Sequence, residues 1–257
     1  MRLVLALTLA ALTVAANDAA LAEAKKGPYP TVKVEVAEAP PPDEALERMR
    51  KALVEAVAKK DAKALFALVA PTFVWLTQGS LNDQFDLGRD ALHNFKVVLG
   101  FREFGHDVDG GVTEGPFWDT LAAFAADDVY YSAGGSLVCG PTIATIVDED
   151  VFETAQNRLG DDSTDWYFTI AATTATAKPG GGPQVGKVGQ VALPILDVHP
   201  PAQEGQDQPI THVQVLLPSG RNGWIPLAAV RPFTSDRLCY AATPAGEWKI
   251  AAFDSAE

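Results

Sequence analysis

The two cysteines are the residues of this 257-residue chain that are best suited to chemistry. A thiol becomes a strong nucleophile when a histidine beside it stabilises the thiolate. Cys139, in the stretch SLVCGPTI, is the candidate, and His199 and His212 follow it along the chain. An even number of cysteines in an exported chain instead favours a disulfide. We therefore predict a Cys139–Cys239 disulfide and keep a nucleophilic Cys139 as the alternative.

Two other groups of polar residues have types and spacing that could support proton transfer or metal binding. In GRDALHNF, Asp90 precedes His93 by three residues, so a helix would place both on one face. We interpret this as an ordinary local pair. In GHDVDGG, His106, Asp107 and Asp109 form a metal-like loop, but no second cluster of ligands accompanies it. The chain also lacks the common hydrolase, zinc-protease and nucleotide-binding motifs. No catalytic residue, cofactor or metal site is predicted.

The N-terminus has the pattern of a secretory signal peptide. Arg2 is followed by thirteen apolar or small uncharged residues, 3–15, and residues 20–22, ALA, place small side chains at both cleavage-specifying positions. The apolar run is shorter than the roughly 20 residues that cross a bilayer. No other stretch is long and apolar enough to do so. We predict a signal peptide at residues 1–22 and a periplasmic or secreted mature protein.

The mature chain is strongly acidic. Its formal net charge is −13, because Arg2 and Asp18 of the predicted signal peptide cancel. Nucleic acids and anionic lipids would be repelled by such a chain, so neither is expected as a partner. Solubility alone accounts for the charge, while a preference for basic partners is the more specific interpretation.

Sequence periodicity predicts a mainly helical first half. After a Pro-rich linker at residues 23–42, residues 43–60 combine the N-cap Asp43 with apolar residues at helical spacing. Shorter helices are predicted within 61–69, 86–101 and 115–128, and TFVWL is predicted as a buried strand or core segment. We therefore interpret residues 43–160 as a mainly helical α+β region.

Short strand patterns dominate from Trp166 onward. WYFTIA, VALPILDV, THVQVLLP and GWIPLAAV are apolar or alternating stretches separated by turns rich in Gly and Pro. This spacing suits a small barrel or sandwich, which we place at residues 161–240. GEWKIAAF predicts a C-terminal hairpin at residues 241–257 that packs back on residues 43–160, where the predicted disulfide would hold it.

The most informative stretch is LLPSGRNGWIP, residues 216–226. Gly220 and Gly223 could adopt the positive φ angles that a tight hairpin requires, and Trp224 begins the return strand. In these residues, and in KPGGGPQVGKVG before them, the chain resembles the bacterial SH3 (SH3b) domain over about a quarter of its length. It departs from the family pattern at His212, where a tryptophan is usual, and at residues 175–177, where ATA replaces an Asn-x-Arg element.

Together with the helical first half, the resemblance implies an α+β fold class, with a mainly helical N-terminal region followed by a small SH3-like β-barrel. Aromatic residues near the loops of such barrels commonly line a peptide groove, and Tyr167, Trp224 and Tyr240 are the candidates here. The expected function is that of an exported, non-enzymatic protein that binds a peptide, peptidoglycan or an envelope protein.

Two alternatives remain open. SH3b domains often accompany cell-wall peptidases with a cysteine nucleophile, which would imply a cell-wall hydrolase with a site in residues 43–160. SLVCGPTI lacks the Asp-Cys-Ser-Gly context of those peptidases. The helical first half and the C-terminal hairpin are also faintly similar to NTF2-like chains, which would imply a small-molecule pocket in the N-terminal region.

Overall fold

The computed structural model describes residues 27–101, 116–134, 136–160, 166–201 and 208–256. Within these ranges the chain forms 15 β-strands in three sheets and five α-helices. The predicted signal peptide, residues 1–22, lies outside them, and so do His106, Asp107 and Asp109 of the predicted loop.

The elements follow one another from β1 near the N-terminus to β15 at the C-terminus. The strands are β1 (Val34–Val36), β2 (Val69–Thr77), β3 (Ser80–Leu81), β4 (Tyr131–Ser132), β5 (Leu137–Gly140), β6 (Ala144–Ile146), β7 (Trp166–Thr169), β8 (Thr173–Lys178), β9 (Gly181–Val188), β10 (Ala192–His199), β11 (His212–Leu216), β12 (Asn222–Pro226), β13 (Val230–Pro232), β14 (Arg237–Ala242) and β15 (Trp248–Ser255). The helices are α1 (Glu44–Ala58), α2 (Ala62–Phe66), α3 (Ala91–Lys96), α4 (Pro116–Ala126) and α5 (Glu149–Leu159), with a π-helical turn at Val97–Phe101 and a 3-10 turn at Leu227–Ala229.

Helix α1 forms where the sequence predicts it. The Asp43 carboxylate accepts hydrogen bonds from the backbone N–H groups of Ala45 and Leu46, at 2.7 and 3.1 Å. These N–H groups have no partner within the helix, so the side chain caps it. The buried stripe of the helix consists of Leu46, Met49, Leu53, Ala56 and Val57.

A six-stranded sheet joins the first half of the chain to its C-terminus. Its strand order is β3-β2-β15-β14-β5-β4. β14 pairs with β5 in antiparallel orientation and β15 lies parallel to β2. The C-terminal hairpin thus packs on strands of residues 43–160, although its first strand begins at Arg237, within the range predicted for the barrel. The sheet and helices α1–α4 enclose a core that includes Phe73, Phe95, Leu121 and Tyr240.

A seven-stranded antiparallel sheet occupies the region after residue 165. Its order is β13-β7-β10-β11-β12-β8-β9, and β11 and β12 form the hairpin predicted from LLPSGRNGWIP. One face buries Leu193 and Ile225 in a core of its own. On the other face, Trp166 packs in edge-to-face contacts against Tyr29 and Phe152, with ring centroids 5.7 and 5.1 Å away.

The segment before α1 belongs to this second core. Val32 and Val34 are buried, and the N–H of Ala192 donates to the carbonyl of Val32 at 2.9 Å. β1 also pairs with β6 in a two-stranded sheet. The alternation of valines within the stretch predicted as a linker therefore corresponds to a short strand that covers part of the seven-stranded sheet.

The prediction of a mainly helical N-terminal region is wrong. The structure is mostly β, and the longest described helix, α1, has 15 residues. TFVWL lies in the nine-residue strand β2. This strand pairs with β15, which comes from the other end of the chain. Helical periodicity in short stretches could not reveal this, because the pairing partner lies about 180 residues away.

The predicted small β-barrel is also wrong, because the seven-stranded sheet is open. Its two edge strands, β13 and β9, pair only with β7 and β8. A small barrel has one packed interior, whereas this sheet buries side chains on both faces. The second face carries Trp166 and Phe168, and α5 and the N-terminal segment cover them.

Candidate functional site

The two cysteines form the predicted disulfide. Cys139 in β5 lies directly opposite Cys239 in β14, with a Cα–Cα distance of 4.1 Å, and both side chains are buried. The alternative of a nucleophilic Cys139 is therefore wrong, since its sulfur is already bonded. Disulfides persist in oxidising compartments, so the bond is consistent with an exported protein. No helix in the described ranges combines the length and apolar character needed to cross a bilayer.

Asp90 and His93 make a helix cap. The Asp90 carboxylate accepts a hydrogen bond from the backbone N–H of His93 at 2.7 Å and thereby caps α3. The carboxylate contacts the backbone of His93, which agrees with the interpretation as an ordinary local pair. Among the described residues, no three or more His, Cys, Asp or Glu side chains come together as a possible metal site.

The structure does not bring the three predicted groove residues together. Tyr240 belongs to the six-stranded sheet, where it is 1% exposed and packs against Tyr130 at 5.7 Å between ring centroids. Burial raises the pKa of the Tyr240 hydroxyl well above its ordinary value. Tyr167 is half-buried in β7 and packs against the core that contains Ile225. A groove shared by all three residues is therefore ruled out, and Trp224 lies apart from the other two.

Trp224 lies on the opposite face of the seven-stranded sheet from Ile225. Alternation along a strand places neighbouring side chains on opposite faces, and Ile225 is fully buried with Val213 opposite it. Trp224 pairs instead with Gln214, and both side chains are partly exposed. Trp224 therefore lies on the same face as Leu216, where its ring is partly exposed.

Two histidines lie beside Trp224 on this face. His199 in β10 lies opposite His212 in β11, and the His199 ring meets the Trp224 ring edge to face, with centroids 6.0 Å apart. His199 is exposed and His212 partly exposed. We call the surface formed by His199, His212, Gln214 and Trp224 the Trp224 face.

Sequence reasoning singled out Trp224 but did not place His199, His212 or Gln214 beside it. The signal was present in THVQVLLP, because period-two alternation places His212 and Gln214 on the face opposite Val213 and Val215. From the sequence, His199 and His212 are predicted only as possible partners of Cys139, and His212 also departs from the SH3b pattern. His199 could not have been found in this way, because its place opposite His212 depends on a register shift between Ile195 and Asp197.

The two predicted turn glycines are needed for different reasons. Gly220 has a φ of +76°, as predicted for a glycine in a tight turn. Gly223 is not among the positive-φ residues. Its missing side chain instead makes room for β8, since a Cβ there would lie 2.8 Å from the Cβ of Ala175. The prediction of a positive φ at Gly223 is therefore wrong, although the position does demand glycine.

The N-terminal region presents an open groove of ligand size beside Trp75. It has a volume of about 520 Å³ and is lined by Trp75, Val98, Phe253 and Ser255 together with the loop residues Thr234, Ser235 and Asp236. Its lining is both polar and apolar. The helices and the six-stranded sheet meanwhile pack side chain against side chain around Phe73 and Phe95. The groove therefore lies beside the core at the surface.

Comparisons with known proteins do not alter this description. The SH3b resemblance consequently rests on the residues quoted from the sequence and stays a prediction. No family model matches the chain, and neither a curated protein nor a solved structure matches it.

Proposed function

We propose that this is an exported protein that binds peptidoglycan, through its peptide stems, at the Trp224 face. The observation that carries the proposal is the position of Trp224, a large, partly exposed aromatic ring that meets the exposed His199 ring edge to face on the sheet. Following signal-peptide cleavage the protein would act in the periplasm or outside the cell, and its disulfide supports that location.

The chemistry of the face suits a chain-like ligand with amide groups. An indole ring offers a broad apolar contact at low cost in side-chain entropy, and tryptophan is enriched among residues that dominate binding energies. Beside it, Gln214 supplies an amide donor and acceptor, and the two imidazoles supply further donors and acceptors. A peptide backbone presents groups complementary to these.

The charge of the protein supports the same ligand class. With a net charge of −13, it attracts ligands that carry ammonium groups and repels polyanions. Stem peptides of the cell wall carry free amino groups as well as carboxylates. A nucleic acid or an anionic lipid surface presents mainly negative charge, which this protein would repel.

Cosedimentation of the mature protein with purified, insoluble peptidoglycan tests the proposal. We expect the wild-type protein to sediment with the wall, and Trp224→Ala to bind about tenfold more weakly or worse, as loss of a dominant aromatic contact does. Trp224→Phe, which keeps an aromatic ring, should retain part of the affinity. Leu87→Ala removes an exposed apolar side chain elsewhere, 81% exposed, and serves as the matched control with unchanged binding.

Three outcomes would contradict the proposal. One is absence of sedimentation by the wild-type protein, and another is equal sedimentation of wild type and Trp224→Ala. The third is release of soluble fragments from dye-labelled wall, because it would support the cell-wall hydrolase. Thermal unfolding of each variant, measured alongside, separates a lost contact from a lost fold.

The groove beside Trp75 favours a second candidate function, the binding of a small molecule in the N-terminal region. Its volume of about 520 Å³ falls in the range of ordinary ligand pockets. A ligand held there would raise the melting temperature in a screen of small molecules. Ser235→Trp, which would fill the groove, should abolish that increase and leave wall binding unchanged.

A further inference from the structure

A basic pocket lies at the turn between β11 and β12. It has a volume of about 330 Å³, and its polar rim carries Thr31, Lys187, Ser219 and Arg221. The buried side chains of Leu217 and Val188 form part of its apolar wall. We call it the Arg221 pocket. It is lined by members of the core that contains Ile225, whereas Trp224 lies on the other face of the sheet.

The cations at this pocket form no ion pair with the carboxylates that the structure describes. Among the described residues, no carboxylate lies within ion-pair distance of Lys187 or Arg221, nor of Lys33, which lies opposite the pocket residue Val191. With the residues that the structure describes, the Arg221 side chain makes one hydrogen bond, from its Nε to the Ser219 hydroxyl at 3.4 Å. The outer nitrogens of its guanidinium are thus available to a ligand.

This arrangement contrasts with other arginines of the chain. Arg231 and Arg237 lie within 2.7 and 2.9 Å of the carboxylates of Asp127 and Asp254. Lys187 and Arg221 are exposed and line one pocket of a protein that has 33 acidic and 20 basic residues. They leave a local positive potential that an anion can neutralise.

Two side chains pack over the backbone of Gly186 at the pocket. Gly186 has no side chain, and a Cβ there would lie 4.0 Å from an outer nitrogen of Arg221 and 3.0 Å from Leu217. The guanidinium therefore extends over β9 at Gly186, where the strand has no side chain. β9 is an edge strand of its sheet, so one row of its backbone groups faces away from β8.

We propose that the Arg221 pocket binds a carboxylate, such as the free C-terminal carboxyl group of a short peptide. A guanidinium presents two parallel N–H groups that match the two oxygens of a carboxylate. Lys187 adds a second positive charge, and the hydroxyls of Thr31 and Ser219 add donors at the rim. The net charge of −13 opposes dianions such as phosphate, so a singly charged anion fits best. This site goes beyond the proposed function, because it involves different residues and a different ligand group.

Titration of the mature, ¹⁵N-labelled protein with N-acetyl-Ala-Ala tests the proposal. We expect saturable shifts of the amide signals of Gly186, Gly189 and Gly220, and none with the same dipeptide carrying a C-terminal amide. The double variant Lys187→Gln/Arg221→Gln should bind the dipeptide about tenfold more weakly or worse, as expected for lost charge-assisted hydrogen bonds. The matched control Arg48→Gln/Lys51→Gln removes the same charge from α1 and should bind as wild type does.

Parallel arms with acetate and with inorganic phosphate identify what is recognised. Shifts of the same amides by acetate would show that the carboxylate alone suffices, which supports the proposal. The proposal is overturned if the amidated dipeptide binds equally well, if the α1 control loses as much affinity as the pocket variant, if phosphate binds more tightly than the dipeptide, or if no signal shifts. Trp224→Ala should keep dipeptide binding, so this site and the proposed wall-binding face can fail independently.

Discussion

Individual residues in one short stretch of this chain serve unrelated purposes. In SGRNGW, Gly220 adopts a φ of +76° to close the turn, and Arg221 extends over β9. Gly223 makes room for β8, while the partly exposed Trp224 packs beside His199. The stretch combines a fold determinant with parts of two candidate binding surfaces, and only the geometry separates them.

Replacing Gly223 with valine tests the close approach of β12 to β8. A Cβ at this position would lie 2.8 Å from the Cβ of Ala175, and backbone shifts that relieve such overpacking typically cost about 1–3 kcal/mol. We expect Gly223→Val to lower the free energy of unfolding by this amount, which a lower urea midpoint would show. Gly181→Val is the control, because a Cβ there meets no atom within 4 Å and φ is not positive. Equal midpoints for the two variants would show that the strands are not closely packed.

Among the elements, the C-terminal hairpin joins the first half of the chain to its C-terminus in one sheet. β15 inserts parallel to β2, and β14 pairs with β5. The centre of the six-stranded sheet is therefore assembled from residues far apart in sequence. The disulfide crosses this β14–β5 pairing and links residues with a sequence separation of 100.

Removal of the disulfide should destabilise the protein considerably. Closing a loop of this length restricts the unfolded chain, and loss of a native disulfide typically costs about 2–5 kcal/mol. We expect Cys139→Ala/Cys239→Ala to unfold at a lower urea concentration than the oxidised wild type. The reduced wild type should approach the double variant. A midpoint for the variant equal to that of the oxidised protein would contradict a stabilising role for the bond.

Viewed as a whole, the molecule joins its two large sheets through buried polar contacts. Arg231 of β13 forms an ion pair with Asp127, which follows α4, and both side chains are mostly buried. Arg50 of α1 donates to the Asp127 carbonyl at 3.2 Å and to the Tyr130 hydroxyl at 2.7 Å. Tyrosines are buried in the cores of both sheets, which makes the stability of the whole molecule sensitive to alkaline pH.

Stability should decline as the pH rises above 10. Burial raises the pKa values of Tyr29, Tyr130, Tyr131 and Tyr240 above the ordinary value of 10.0. Unfolded tyrosines therefore lose their protons first, so that the folded chain binds more protons and its free energy of unfolding falls with rising pH. Below pH 10 this contribution is fully present. Urea midpoints measured across the alkaline range check the direction.

A single substitution tests whether the tyrosines cause the loss of stability above pH 10. Tyr131→Phe removes a hydroxyl whose pKa is raised by burial and which makes no side-chain hydrogen bond with described residues. The variant should lose stability less steeply above pH 10 than the wild type does. Identical slopes would assign the alkaline decline to other groups.

Local sequence pattern was sufficient for features whose causes are local. The cap and apolar stripe of α1 predicted that helix, and the Ser-Gly and Asn-Gly pairs predicted the β11–β12 turn. The even cysteine count correctly predicted the disulfide. Each of these depends on residues within a few positions of one another or on the chemistry of a single residue type.

The sequence by itself therefore determined the cap of α1, the tight turn, the disulfide and the net charge of −13. The tertiary structure alone decided that β2 pairs with β15, that the seven-stranded sheet stays open with a core on each face, and that Tyr240 is buried far from Trp224. The physical reason is that strand pairing and face assignment depend on partners distant in sequence, and a shift of one residue in register reverses every side chain. Both candidate binding surfaces depend on this long-range pairing, which brings His199 beside Trp224 and Gly186 beside Arg221.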